Sequence, residues 1–112
     1  MILVLSGKYQ GEETFAKEHF PGKNIPAKNV DEYDFSIKED IDKAAAELAV
    51  QVMEDNSDII LCHILGCGVV PIDEMLRYHA ELVGRTSCLL AEKADEVWIV
   101  RAGIGQQIKS KR

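Results

Sequence analysis

Three short apolar runs, Ile2 to Leu5, Ile59 to Leu65 and Val97 to Val100, alternate with segments of helical periodicity, and this alternation sets the fold class. Each run is too brief for a buried helix and is flanked by turn or polar residues, the pattern of a strand buried on both faces. Glu12 to His19 reads as a short helix stopped by Pro21-Gly22. Ser36-Ile37-Lys38-Glu39 has capping-box spacing and predicts a helix to about Glu54, with Ile37, Ile41, Ala45, Leu48 and Val52 on one stripe. A third helical pattern runs from Ile72 to about Lys93. Asn24 to Val30 is weakly extended, and Pro26 demotes it to an edge strand or a loop. Gly103 and Gly105 are read as ending the last strand, with Lys109, Lys111 and Arg112 as a solvated, frayed tail. The order predicts an α/β fold with a small, mainly parallel sheet covered by helices on both faces.

In such sheets ligands sit beyond the carboxyl ends of the strands. Three glycine-bearing loops are expected there: Ser6 to Gly11, Gly66 to Gly68 and Gly103 to Gly105. The first, in SGKYQGEETF, has the layout of a phosphate-binding loop, which reads G-x-x-x-x-G-K-[ST] after a strand. Gly7 and Gly11 permit the backbone turns, but Glu12 and Glu13 stand where Lys and Ser or Thr are required. Lys8 and Thr14 are the only local candidates for the missing cation and hydroxyl, and neither has the right spacing. Each carboxylate within about 4 Å of a phosphate would cost on the order of 1 to 4 kcal/mol. In the first turn of a helix, by contrast, each stabilises the helix dipole by roughly 0.3 to 1 kcal/mol. The loop therefore reads as a phosphate cradle whose anion is replaced by its own carboxylates.

At 112 residues the chain is expected to form one domain. A net charge of -6 and a pI near 5.0 argue against nucleic acid or an anionic membrane as partner. No apolar run reaches the length of a membrane span, and the amino terminus carries no signal-peptide pattern. Cys62, Cys67 and Cys88 are odd in number and fit no C-x-x-C spacing, which suits a reducing cytoplasm. Cys62, His63 and Cys67 read as buried side chains rather than a metal site, because alternate strand residues face opposite ways. His63 can serve as a general base near the sheet's carboxyl edge. With no carboxylate partner visible in sequence, the favoured reading is a satisfied, partly buried histidine. His79 is assigned to packing or an intersubunit contact, His19 to a helix end, and Trp98 to the core or the sheet surface. Arg85 and Arg101 are phosphate candidates, although Arg85 also has Glu81 and Glu92 to pair with on its own helix.

The opening MILVLSG, the turn GCGVVP and the segment GRTSCLLAEKADEVWIVRAGI together resemble the adenosylcobinamide kinase/adenosylcobinamide-phosphate guanylyltransferase family of cobalamin biosynthesis. Gly66, Gly68, Val69, Val70, Pro71, Gly84, Arg85, Ala94, Asp95, Glu96 and Val97 carry most of the likeness. The resemblance implies a P-loop NTPase-like three-layer sandwich, spanning residues 1–112 as a shortened member. It implies ATP or GTP with magnesium, or a corrinoid, as ligand, and a homo-oligomer, with a trimer favoured. Gly7, Lys8, Gly11, Thr14, Gly66 and Gly68 would line the nucleotide site. The chain departs from the family at the loop's Lys and Ser, and it has no histidine between Phe20 and Leu61, where the family guanylylates one. The acidic residue that the family carries before its G-x-G turn is also replaced, by His63-Ile64-Leu65. Three readings follow: a degenerate relative with at most weak nucleotide or corrinoid binding, an active transferase in which another residue replaces the lysine, and a non-catalytic structural or regulatory subunit.

Overall fold

A computed structural model describes residues 1–64 and 73–110 of the chain. Strand β1 (Ile2–Ser6) leads into helix α1 (Glu12–His19), and a loop with one 3₁₀ turn at Val30–Glu32 runs to α2 (Ile41–Asp55). Strand β2 (Ile59–His63), helix α3 (Glu74–Lys93) and strands β3 (Glu96–Arg101) and β4 (Ile104–Lys109) follow. The sheet order is β2-β1-β3-β4, with β1 parallel to both neighbours and β4 antiparallel to β3. Among the described residues, no helix is long and apolar enough to cross a membrane.

The central strand explains the layering. Leu3 and Val4 are both fully buried, yet successive strand residues face opposite ways. Leu3 therefore packs with Ile60, Val97, Leu48 and Leu90 beneath α2 and α3. Val4 packs with Ile59, Leu61, Val100 and Ala16 beneath α1. The second face is finished by an aromatic cluster, in which the His19 ring lies 5.0 Å from Phe15 and 4.7 Å from Trp98. Trp98 is thus on the sheet face that α1 covers, and His19, the exposed last residue of α1, stacks on the same cluster.

Two expectations are corrected. The helix predicted from Ser36 begins at Ile41, where the Asp40 side chain accepts a hydrogen bond from the Lys43 amide at 3.1 Å. The preceding residues are docked on α3 instead: Phe35 stacks on His79 at 4.2 Å, and the Lys38 amide donates to the Tyr78 hydroxyl at 3.3 Å. These tertiary contacts hold Ser36 and Lys38 outside the helix, and Ile37 is exposed rather than on the core stripe.

Gly103 and Gly105 do not end the sheet. Ala102 and Gly103 both adopt positive φ, 51° and 76°, and form the two-residue turn of a hairpin that adds β4. Lys109 belongs to this strand rather than to a frayed tail. Its ammonium donates to the carbonyls of Ala91 and Glu92 at 2.9 and 3.1 Å, satisfying acceptors at the carboxyl end of α3. Asn24 to Val30, left open between edge strand and loop, is a loop as far as Asn29, and Val30 opens the 3₁₀ turn.

Gly105 has a further constraint, because a Cβ there would overlap the Phe15 ring. That ring is held by His19, Phe20 and Trp98 and has little room to yield. Gly105→Ala is expected to lower stability by about 1 to 3 kcal/mol, the usual range for overpacking, as read by urea denaturation.

Candidate functional site

The loop after β1 turns back through two residues of left-handed backbone, Tyr9 at φ 61° and Gly11 at φ 79°. Gly11 is the N-cap of α1, and its carbonyl accepts the first helical hydrogen bond, from Phe15 at 2.9 Å. The β3–β4 turn buttresses this loop. The Gly103 amide donates to the Gln10 carbonyl and the Ala102 amide to the Gln10 side chain, each at 2.7 Å. A Cβ on Gly11 would come within 3.4 Å of the Gly103 backbone. Two of the three glycine-bearing loops therefore abut. The loop containing Gly66 and Gly68, together with Cys67, lies outside the described residues.

A cleft of about 390 Å³ opens at the carboxyl edge of the sheet, lined by the loop and by β2 and the 3₁₀ turn. Lys8, Gly11 and Thr14 line it, whereas Gly7 is not among its lining residues. Four carboxylates, those of Glu12, Glu13, Asp31 and Glu32, share the lining with Lys8 and His63. Counted back from Gly11, the first glycine of the phosphate-loop pattern falls on Ser6, which is buried with its hydroxyl unpartnered among the described residues.

Glu12 does not face the cleft as a free charge. The parallel register sets Ser6 beside His63, so the loop that leaves Ser6 brings Glu12 back onto the His63 ring. His63 Nε2 lies 2.7 Å from Glu12 Oε1, and Nδ1 lies 3.1 and 3.2 Å from the two Asp31 oxygens. The three side chains are only 12%, 13% and 6% exposed for His63, Glu12 and Asp31. Glu12 and Asp31 thus sit on opposite ring nitrogens, an arrangement that holds a proton at each. It does not converge on one point as a metal set would. Among the described residues there is no group of three or more His, Cys, Asp or Glu arranged to hold a metal ion.

Burial disfavours the imidazolium, but the hydrogen bonds and charges of Glu12 and Asp31 outweigh it and raise the His63 pKa above its ordinary 6.5. Burial likewise opposes the Glu12 carboxylate, and the His63 hydrogen bond and charge, with the backbone amides of Glu12 and Gln10, bring its pKa below 4.5. The signs define a pH window. Glu12 contributes stability above 4.5, which is lost as pH falls through its lower folded value. His63 contributes below 6.5, and this is lost as pH rises through its higher folded value. The cluster's contribution is therefore complete between 4.5 and 6.5. The denaturation midpoint is expected to fall on both sides of that window in wild type, and His63→Asn is expected to flatten the alkaline limb.

The other candidates are elsewhere. Arg85 pairs with Asp42 of α2 at 2.6 Å and with Glu81 at 3.7 Å, and His79 is occupied by Phe35. Arg101 is exposed at the hairpin. Burial, and then the nearby Asp31 charge, push the Cys62 thiol up to about 12, so it is inert at neutral pH. Sequence reading missed Asp31, which sits in a stretch without a strand or long helix, and it missed the partnership of Glu12 with His63. The latter had a signal: once β1 and β2 are taken as adjacent and parallel, their final residues and the helix after β1 converge.

A model of the family described as cobinamide kinase / cobinamide phosphate guanyltransferase matches residues 11–108. Gly7 and Lys8 fall before the matched segment. The bifunctional adenosylcobalamin biosynthesis protein CobU of Escherichia coli is 30% identical over 84 residues, covering 73% of this chain and 46% of that protein. The protein of the same name from Salmonella typhimurium is 39% identical over 51 residues, covering 46% of this chain and 28% of that protein. The chain thus matches less than half the length of either relative.

Proposed function

The chain belongs to the cobinamide kinase / cobinamide phosphate guanyltransferase family, and we propose that it is a member whose phosphate loop is closed by its own carboxylate. On this reading it retains at most weak nucleotide or corrinoid binding and turns over neither the kinase nor the guanylyltransferase reaction. The observation that carries this is the ion pair of Glu12, the residue after Gly11, with His63 at 2.7 Å. A phosphate loop needs a cation at that position to offset the charge of the β- and γ-phosphates. Here a carboxylate occupies it, and the nearby imidazolium is already shared by two carboxylates. Glu13 and Glu32 add further negative charge around the same cleft.

The finer fold is proposed as a P-loop NTPase-like three-layer sandwich. Support comes from the glycine loop between β1 and α1, with α1 on one sheet face and α2 and α3 on the other. A cytoplasmic setting suits the unpaired Cys62 and Cys88. Family likeness favours a homotrimer, and the exposed Met75 and Leu76 on α3 give it an apolar surface. Sedimentation at micromolar concentration is expected to show an oligomer, and a monomer would remove that element.

The functional test is turnover. Incubation with adenosylcobinamide and either ATP or GTP is expected to give no product above a no-enzyme control and no covalent label on the protein. Product above that control, or a label from GTP, would favour the reading in which another residue has replaced the lysine.

A further inference from the structure

His63 ties three separate segments together: the first turn of α1 through Glu12, the end of β2 on which it sits, and the 3₁₀ turn through Asp31. Both ring nitrogens face carboxylate oxygens. A neutral imidazole has one N–H donor and one lone pair, so only the doubly protonated ring can satisfy both neighbours. If the ring loses a proton, one carboxylate is left facing a nitrogen lone pair across about 3 Å, at which like partial charges repel.

Burial decides which neighbour leaves. Asp31 also lines the cleft but is only 6% exposed, and its short side chain cannot leave the ring without moving the 3₁₀ turn, whose Val30 is anchored in the core at 1% exposure. Glu12 is the longer side chain, lines the open cleft, and stands in the first turn of a helix, where its charge remains favoured. We propose that His63 is a proton-operated latch, holding Glu12 against β2 while the ring is doubly protonated and releasing it into the cleft when the ring loses a proton. The other charged groups around the ring do not reverse this. Glu13 and Glu32 line the same cleft and favour the protonated ring. Lys8, on the loop, opposes it and lies on the cleft wall. His79 of α3 interacts with Asp31 rather than with His63.

Release would turn a closed ion pair into a free carboxylate beside the α1 amides, so the cleft changes shape and charge together. The latch does not rest on the function proposed above, because it needs only the three side chains and a proton. Its test uses the unsubstituted protein. In an NMR pH titration, the through-space contacts of the Glu12 side chain with the His63 ring are expected to be lost with the His63 midpoint, with the Gly11 and Glu12 amides shifting, while those of Asp31 with the ring persist. Glu12→Gln is expected to lower that midpoint by removing one of the two charges that hold the proton. The proposal is overturned if the Glu12 contacts do not follow His63, or if Asp31 is the group that moves.

Discussion

Replacing Glu12 by Lys and Glu13 by Ser is expected to give a protein that binds magnesium–ATP measurably where the parent does not. Gly11 is left-handed, and the β3–β4 turn holds the loop from behind through Gln10. The charge change is smaller than simple counting gives. Removing two carboxylates and adding one ammonium is a change of three, but a lysine beside His63 would displace the shared proton and leave the ring neutral on Asp31. The net change at the cleft is then two. At effective dielectrics between water and a protein surface this is roughly 2 to 5 kcal/mol, or about 30-fold to a few thousand-fold in Kd. The empty variant should be less stable, because α1 loses its first-turn acids and His63 loses one partner. Calorimetric titration together with urea denaturation checks both directions. A folded variant that binds no better than the parent would mean that Gly11 and Tyr9 shape a turn and not a cradle.

His63→Leu should carry a large stability cost, greatest between pH 4.5 and 6.5. It keeps the bulk of the ring but leaves Glu12 and Asp31 without a partner, and removing one member of a buried ionic set costs about 3 kcal/mol or more. The loss should shrink as pH falls through the carboxylate range, because protonated carboxyls no longer need the imidazolium. Adding Glu12→Gln and Asp31→Asn to the same variant should recover much of the loss, since it removes the uncompensated charges as well. A pH-independent deficit that the triple variant does not relieve would assign His63 a packing role instead.

The parts of the fold visible in the sequence are those fixed by local pattern. β1 and α1 follow from an apolar run and a helix bounded by Gly11 and by Pro21-Gly22, and α1 has the bounds that this pattern predicts. The start of α2 was hidden because Phe35 and Lys38 are held by α3, a contact no local spacing reveals. β4 was hidden because its turn places Ala102, a residue that disfavours positive φ, in left-handed backbone. The site divides in the same way. Glu12 and the loop glycines were legible, since the motif they depart from is local. Their partners were not, because His63 lies 51 residues from Glu12 and 32 from Asp31. Glu12 therefore changed meaning. Glu12 reads in sequence as a charge facing any bound phosphate, and in the folded chain it is an anion already matched by an imidazolium.

Equilibrium titration of the unsubstituted protein with magnesium–ATP and magnesium–GTP near pH 7 addresses that arrangement most directly. With Glu12, the residue after Gly11, paired to His63 at 2.7 Å, neither nucleotide should give a saturable isotherm below about 1 mM, a binding free energy weaker than about 4 kcal/mol. Saturable binding with a micromolar Kd, in a complex where the His63–Glu12 pair persists, would contradict it.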